Sequence, residues 1–212
     1  FKEIQNYFKD TEQVKKLKLK ALVTAGPTRE YIDPVRFISN ESSGKQGYEI
    51  AKVLAKSGVK TTLVAGPSTL DPISGLKIVK VKTANEMFNE IKKLLPVDIA
   101  VCAAAVSDFK PKHFFSSKIK KNKNMFKKLE LEKNIDILDY LSKHNRNRPK
   151  LVVGFSAETE NLIKNSEEKL KDKRCDLIVA NDVSKKDFGF DSEYNKVTLI
   201  EENGVILNIK KS

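Results

Sequence analysis

Apolar residues fall into short runs separated by helix-patterned or polar stretches, and most runs stop at a glycine, a proline or a polar cluster. The run over residues 18–25, ending in "LVTA" and closed by Gly26-Pro27, predicts a buried strand. Residues 27–43, with Pro27 and Pro34, predict a long loop. From Gly44 to Ser57 the positions Tyr48, Ala51, Val53, Leu54 and Ala55 share one face of a helix that Gly58 stops. Strands follow over 60–66 and, with period-2 alternation, 76–82. Thr83 and Glu86 stand at capping-box spacing at the head of a helix over 83–95. The continuous apolar run 98–106 predicts a strand buried on both faces. Beyond a lysine-rich stretch come a short strand at "KKLELE", a helix over 134–144 and a strand over 150–158. A helix over 160–175, turning Leu162, Ile163, Ser166 and Leu170 inward, leads to a strand over 176–182. Two alternating strands over 196–210 flank Asn203-Gly204, a hairpin signal.

Strands alternating with helices predict a doubly wound, Rossmann-like α/β fold on a mostly parallel sheet, extended by a C-terminal β-hairpin. Ligands of such folds bind beyond the carboxyl ends of the strands. Here those ends are Thr24–Thr28, Gly66, Ala104–Asp108, Phe155–Glu158 and Ala180–Asp182.

Composition narrows this picture. The 212 residues are 40% hydrophobic, ordinary for a folded domain, and no run reaches the roughly 18 apolar residues of a membrane span. Two cysteines and two histidines exclude a disulfide framework and a Cys/His zinc site. Together these favour a cytoplasmic setting without a membrane partner. The opening "FKEIQNYFKD" lacks the apolar core of a signal peptide, and its first residue, Phe1, points to a boundary within a longer protein. The formal charge of +12 is uneven: residues 110–133 hold nine lysines against Glu130 and Glu132. Such a stretch attracts polyanions, either nucleic acid or a small phosphorylated substrate, or it decorates a solvated loop.

"NESSGKQG" (40–47) raises the question of a phosphate-binding loop. The P-loop motif fails, because Ser39 and Gln46 stand where it requires glycine and Ser or Thr. The dinucleotide fingerprint also fails, since "AGPTRE" has one glycine. What remains is a helix start with small residues, Ser42, Ser43, Gly44 and Gly47. That start either receives an anion at its backbone N–H groups or is capped by a serine.

The segments "AGPTREYIDPVRFISNESSGKQG", "AAAVSDF", "KIKK", "VGFSAET" and "ANDV", in this order, resemble the bacterial phosphopantothenoylcysteine synthetases over residues 18–210. The resemblance implies a ligase of coenzyme A synthesis that joins 4′-phosphopantothenate to L-cysteine. It implies CTP as activating co-substrate with Mg²⁺, an acyl-cytidylate intermediate, and release of pyrophosphate and CMP; eukaryotic members use ATP. It further implies a homodimer, and residues 1–17 as the linker from a decarboxylase domain that precedes the synthetase domain at 18–212.

Residue by residue, the resemblance assigns Asn40 to the acyl intermediate, where a neutral amide can bond an acyl oxygen without repelling a carboxylate. It assigns Lys118 to activation, as a mobile ammonium over the α-phosphate. Lys120 and Lys121 are weaker candidates beside it. Nucleotide contacts are implied at Gly26, Ser42, Gly44, Gly47, Cys102, Ala103, Ala104, Asp108, Ile135, Asp136, Ile137, Leu138, Phe155, Lys169 and Lys173. Asp108 would bind ribose or base, or help hold Mg²⁺. Lys169 and Lys173 share a helix face four residues apart. Arg36 would clamp the pantothenate phosphate, and Ala104 and Ala105 would touch that substrate. Ile135 stands where the family usually carries proline. Cys102 and the alanines read, without the resemblance, as packing. A nucleic-acid-binding module is the second reading, with Phe109, Phe114, Phe115 and Phe126 flanking the lysines. A nicotinamide-dependent reductase, the third, lacks the glycine fingerprint, and no working Tyr-x-x-x-Lys pair is expected.

Overall fold

The computed structural model describes residues 19–120, 129–144, 146–184 and 196–210. The lead-in 1–17 and Lys121, Lys123, Lys127 and Lys128 of the basic stretch lie outside the described residues. In chain order the first elements are β1 (Lys20–Ala25), β2 (Arg29–Tyr31), β3 (Phe37–Ser39), α1 (Lys45–Lys56), β4 (Lys60–Ala65) and β5 (Lys77–Lys80). Then come α2 (Ala84–Leu94), β6 (Ile99–Cys102), β7 (Phe109–Pro111), β8 (Leu131–Lys133) and α3 (Ile137–Asp139), which continues as a π-helical turn over Tyr140–His144. Last are β9 (Leu151–Glu158), α4 (Leu162–Lys173), β10 (Leu177–Asp182), β11 (Lys196–Glu201) and β12 (Gly204–Lys210).

Eight strands make one sheet in the order β12-β11-β10-β9-β6-β1-β4-β5. Every pairing from β10 across to β5 is parallel, and β10–β11 and β11–β12 are antiparallel. This is the expected doubly wound sheet with its C-terminal hairpin. Alternation of side chains along each strand divides the core in two. Leu22, Val64, Ala100, Val152 and Ile178 face Met87 and Ile91 of α2, Leu141 and Leu170 of α4. Ala21, Val23, Ala25, Leu63 and Val101 face Tyr48, Ala51 and Leu54 of α1. Each large side chain buried this fully contributes about 1.5–3 kcal/mol relative to exposure.

The order of the strands locates the site. From β1 the chain winds to β4 and β5, then crosses back to β6 on the other side of β1 and continues to β9 and β10. The reversal falls between β1 and β6, so the loops leaving these two strands border the crevice of a doubly wound fold.

Several expectations need correction. The predicted loop 27–43 contains the β2–β3 hairpin, held by edge packing of Tyr31 on Phe37 and by Arg29 over the Phe37 ring at 4.6 Å. A second ribbon, β7–β8, was not expected, and the strand predicted at "KKLELE" is its Leu131–Lys133 arm. The run 98–106 leaves the ladder after Cys102, because Ala104 and Ala105 turn their amides to Thr24 and Gly26. The predicted helix over 134–144 begins only at Ile137, capped by Asp136, which accepts from the Asp139 amide at 2.8 Å. Ile163, expected inward, is exposed, while Ser166 and Leu170 are buried as expected.

Candidate active site

The two crevice loops are laced together. Ala105 donates to the Gly26 carbonyl at 2.9 Å, and Thr28 donates back to the Ala105 carbonyl at 3.3 Å. The hydroxyls of Thr24 and Thr28, both buried, accept from the Ala104 and Ser107 amides at 3.2 and 3.1 Å. The Asn40 side-chain amide, exposed at the rim, donates to the Val106 carbonyl at 3.1 Å. That single bond fixes which end of the amide meets the 103–108 loop. Ser39 ties the same stretch down by donating to the Thr28 carbonyl at 2.7 Å.

Helix α1 begins against these loops. Gly44 is its N-cap, at φ 82°, and no side chain caps the helix. Of the two alternatives, capping by a serine at the N-cap position is not what forms, and the serines make local turns: the Ser42 hydroxyl accepts from the Gly44 amide and that of Ser43 from Lys45. A side chain on Gly44 would lie 3.1 Å from the backbone of Gly26, and one on Gly47 only 2.5 Å from the Ala25 Cβ. The glycines thus let the helix start press directly on the end of β1. No acidic residue occupies its first turn, so the positive end of the dipole is uncompensated there.

A second group of expected residues assembles on the α4 side of the sheet. Lys173 pairs with Asp136 and Asp172, each at 3.0 Å. Partial burial works against the Lys173 charge, yet its bonds to Asp172 and Asp136 raise its pKa above the usual lysine value. Burial pushes the neighbouring Cys102 thiol up to about 12, with Cys175 and Asp136 adding to the rise and Lys169 opposing it, so Cys102 is a neutral lining group. The backbone carbonyl of Asp108 accepts from Asn134 at 2.8 Å, joining the exposed Asp108 to the Ile135–Asp136 turn. Ile137 and Leu138 are buried core residues, and Leu138 sits over Gly154. Phe155 is not with this group: it packs among the core residues on the α1 side. Ala103 shares that side, whereas Ala104 packs on the other.

The basic stretch is less naked than its sequence. Lys110 and Lys112 of the β7–β8 ribbon pair with Glu132 and Glu130 at 3.4 and 3.3 Å, which occupies both acids of the stretch. Lys118 and Lys120 are exposed on either side of the buried Ile119. Arg36 pairs with Asp33 at 3.3 Å and donates to the Ile119 carbonyl at 3.3 Å, which sets it beside the lysine pair. Among the described residues no group of three or more His, Cys, Asp or Glu could hold a metal ion. An open groove lined by Glu30, Tyr31, Lys82, Lys110 and Phe114 holds none of the expected site residues. The reductase spacing Tyr-x-x-x-Lys does occur, at Tyr48 and Lys52, but Tyr48 is buried in the core and Lys52 pairs with Glu49. No helix of the described residues is long and apolar enough to cross a membrane.

Sequence reasoning missed Asp33, whose side chain is fully buried, and the two threonine hydroxyls. The Asp33-Pro34 dipeptide is the signal that could have found the first, since Asp before Pro initiates turns.

The DNA/pantothenate metabolism flavoprotein C-terminal domain family matches residues 17–212. The coenzyme A biosynthesis bifunctional protein CoaBC of Borreliella burgdorferi is 43% identical over 206 residues, 96% of this chain and 51% of that protein. CoaBC of Bacillus subtilis is 40% identical, over 86% of this chain and 45% of that protein. The chain therefore spans about half the length of these curated relatives. The crystal structure of the C-terminal domain of a CoaBC superposes with a TM-score of 0.72 at 36% identity, over 92% of this chain and 86% of that one. A Cab2 mutant in complex with phosphopantothenate-cysteine superposes with a TM-score of 0.75 at 18% identity, over 99% and 87%, which supports the fold. With a family model matched from residue 17 to the last residue, the chain belongs to the family of DNA/pantothenate metabolism flavoprotein C-terminal domains.

Proposed function

We propose that this chain is a phosphopantothenate–cysteine ligase that uses CTP. One observation carries the reading: the Asn40 amide is docked on the Val106 carbonyl, in the crevice loop, close in the chain to a helix start whose N-cap is a glycine. The relatives named for coenzyme A biosynthesis and the Cab2 complex with phosphopantothenate-cysteine support the substrate class.

In the first half-reaction a phosphopantothenate carboxylate oxygen attacks the α-phosphorus of CTP, and the bond to pyrophosphate breaks. Charge grows on the α-phosphate oxygens, and the exposed ammonium of Lys118 is the group to meet it. In the second the cysteine amine attacks the acyl carbon and CMP leaves, with the amine proton passing to solvent or base. Asn40 bonds an acyl oxygen in both halves. Arg36 holds the pantothenate phosphate. The nucleotide lies across Gly26, Gly44 and Gly47 toward Ala103, Asp108, Asp136, Lys169 and Lys173. Mg²⁺ commonly takes one or two carboxylates plus phosphate oxygens. The exposed Asp108 fits that modest demand, and the ion would neutralise the triphosphate. We place the enzyme in the cytoplasm, following a decarboxylase domain in a longer chain. It is read as a homodimer, because six of the seven large hydrophobic residues exposed among the described ones lie on or beside the two small ribbons.

The test supplies Mg²⁺ and 4′-phosphopantothenate with CTP or ATP, with and without cysteine. Pyrophosphate from CTP, and CMP released only when cysteine is added, is the expected result. Turnover with ATP alone would keep the ligase and correct the nucleotide. No turnover with either, in this chain and in the longer protein, would overturn the reading.

Asn40→Asp should slow cysteine-dependent CMP release about 100-fold or more while CTP affinity holds. The substitution removes a donor and sets a carboxylate against the Val106 carbonyl. A collapse of CTP affinity with normal chemistry in the bound fraction would make Asn40 a scaffold for the phosphate loop.

A further inference from the structure

We propose that Asp33 is a positioning residue: its buried carboxylate clasps the backbone at Ile119 and so fixes where Lys118 can reach. The inference rests on the ligase reading for the role of Lys118, and on geometry for the clasp. One carboxylate oxygen of Asp33, Oδ1, accepts from the amides of Val35 and Arg36 at 2.8 and 2.9 Å, closing a tight turn after Pro34. The other, Oδ2, accepts from the Ile119 amide at 3.2 Å and from Arg36 Nη1 at 3.3 Å. Arg36 Nη2 completes the loop by donating to the Ile119 carbonyl at 3.3 Å. Both backbone polar groups of Ile119 are therefore committed to one ion pair lying more than eighty residues away in the chain. The Ile119 side chain is itself buried, and Phe115, four residues earlier in the same segment, donates to the Ile32 carbonyl at 2.9 Å.

A carboxylate wholly removed from solvent is costly unless paired and fully hydrogen-bonded. Here the turn alone uses one oxygen, and an asparagine would have served it equally well, as it does in many turns. The second oxygen has no use in the turn. It holds the Lys118–Lys120 segment and orients Arg36 in the same act. Burial works against the Asp33 anion, yet the Val35, Ile119 and Arg36 amides and the Arg36 charge together hold its carboxyl below the usual carboxylate range. Lys118 has a long flexible stem, and what limits its reach is where its backbone starts. That point is set at the next residue.

Asp33→Asn separates the two functions. Its amide oxygen keeps the turn, while its NH₂ replaces Oδ2 and confronts two donors, the Ile119 N–H and the Arg36 guanidinium. At saturating phosphopantothenate the variant should lose about 100-fold in the rate of pyrophosphate release, the scale of an ångström of misplacement, with the KM for CTP nearly unchanged. In a Lys118→Gln background the same change should cost almost nothing further, because the group it positions is gone. Losses that multiply in the double variant would overturn the inference and leave Asp33 a general structural residue. If Asp33→Asn does not fold, amide exchange in the wild-type chain decides. Ile119 should exchange far more slowly than an unprotected amide, and exchange at the unprotected rate would dismiss the clasp. A protected Ile119 amide with no pyrophosphate release, in this chain and in the longer protein, would instead sink the ligase reading and keep the clasp.

Discussion

Lys118→Gln should lower the rate of pyrophosphate release by about three orders of magnitude, the scale seen when a cation that meets phosphoryl charge is removed. Glutamine keeps the length and polarity of the side chain and removes only the charge. Because Lys118 is exposed, its ammonium is hydrated in the free enzyme and gains strength only when the triphosphate arrives and water leaves. The loss should therefore appear in the transition state, as a fall in kcat, with a smaller rise in the KM for CTP. The fold should be indifferent, since exposed substitutions of this kind typically change stability by no more than about 0.5 kcal/mol. Single-turnover pyrophosphate release and a melting curve on the same sample test both halves. Wild-type release would dismiss Lys118 and turn attention to Lys120, which flanks the same anchored Ile119. A lowered melting point with proportional loss of activity would mean the residue acts through the fold.

Much of the fold was legible because its central strands announce themselves. "LVTA", "TTLVA" and "LIVA" are dominated by apolar residues, as strands covered on both faces are, and α1, α2 and α4 cover them. Asn203-Gly204 marked the last hairpin correctly, with Gly204 at φ 112°. Of the two ribbons only one arm, the strand read at "KKLELE", was legible, and the rest was hidden for a physical reason. Arg-Glu-Tyr, Phe-Ile-Ser and Phe-Lys-Pro are too short for any period to show, and the pairing of all four arms is decided by contacts that no local pattern encodes. The same holds at the site. The resemblance supplied Asn40, Lys118 and Arg36, but not what they rest on. Val106 is 66 residues from Asn40 and Ile119 is 83 from Arg36, and no local pattern encodes such bonds. Phe155 shows the converse limit: its place in a strand was readable, but the side of the sheet it faces, away from Leu138 and Leu170, depends on the register of β9 against its neighbours.

Gly66→Ala should be the most crowded alanine substitution among the described glycines. A Cβ at residue 66 would stand 1.8 Å from the Pro27 carbonyl oxygen and 2.9 Å from its carbon, with Ala25 O at 3.6 Å. These are backbone atoms, so no rotamer change relieves the overlap. Nor can the Pro27 loop move alone: Gly66 donates to Ala25, and Thr28 and Gly26 are bonded to Ala105. The strain would pass to the 103–108 loop and on to Val106, the acceptor that fixes Asn40. Overpacking of a rigid site costs about 1–3 kcal/mol and occasionally more. At the upper end, a loss of about 3 kcal/mol corresponds to a melting point lower by roughly 6–12 °C for a chain of this size. Gly58→Ala is the control that separates crowding from backbone strain. Gly58 has φ +85° and nothing within 4 Å of an added Cβ, so it should cost only the roughly 1–2 kcal/mol of a left-handed alanine. The expected ranking is that Gly66→Ala melts lower and also loses pyrophosphate release, whereas Gly58→Ala, far from the crevice loops, loses stability alone. If Gly66→Ala melted no lower than Gly58→Ala, the close approach of β4 to the Pro27 turn would be wrong. The route from that turn to Asn40 would fall with it.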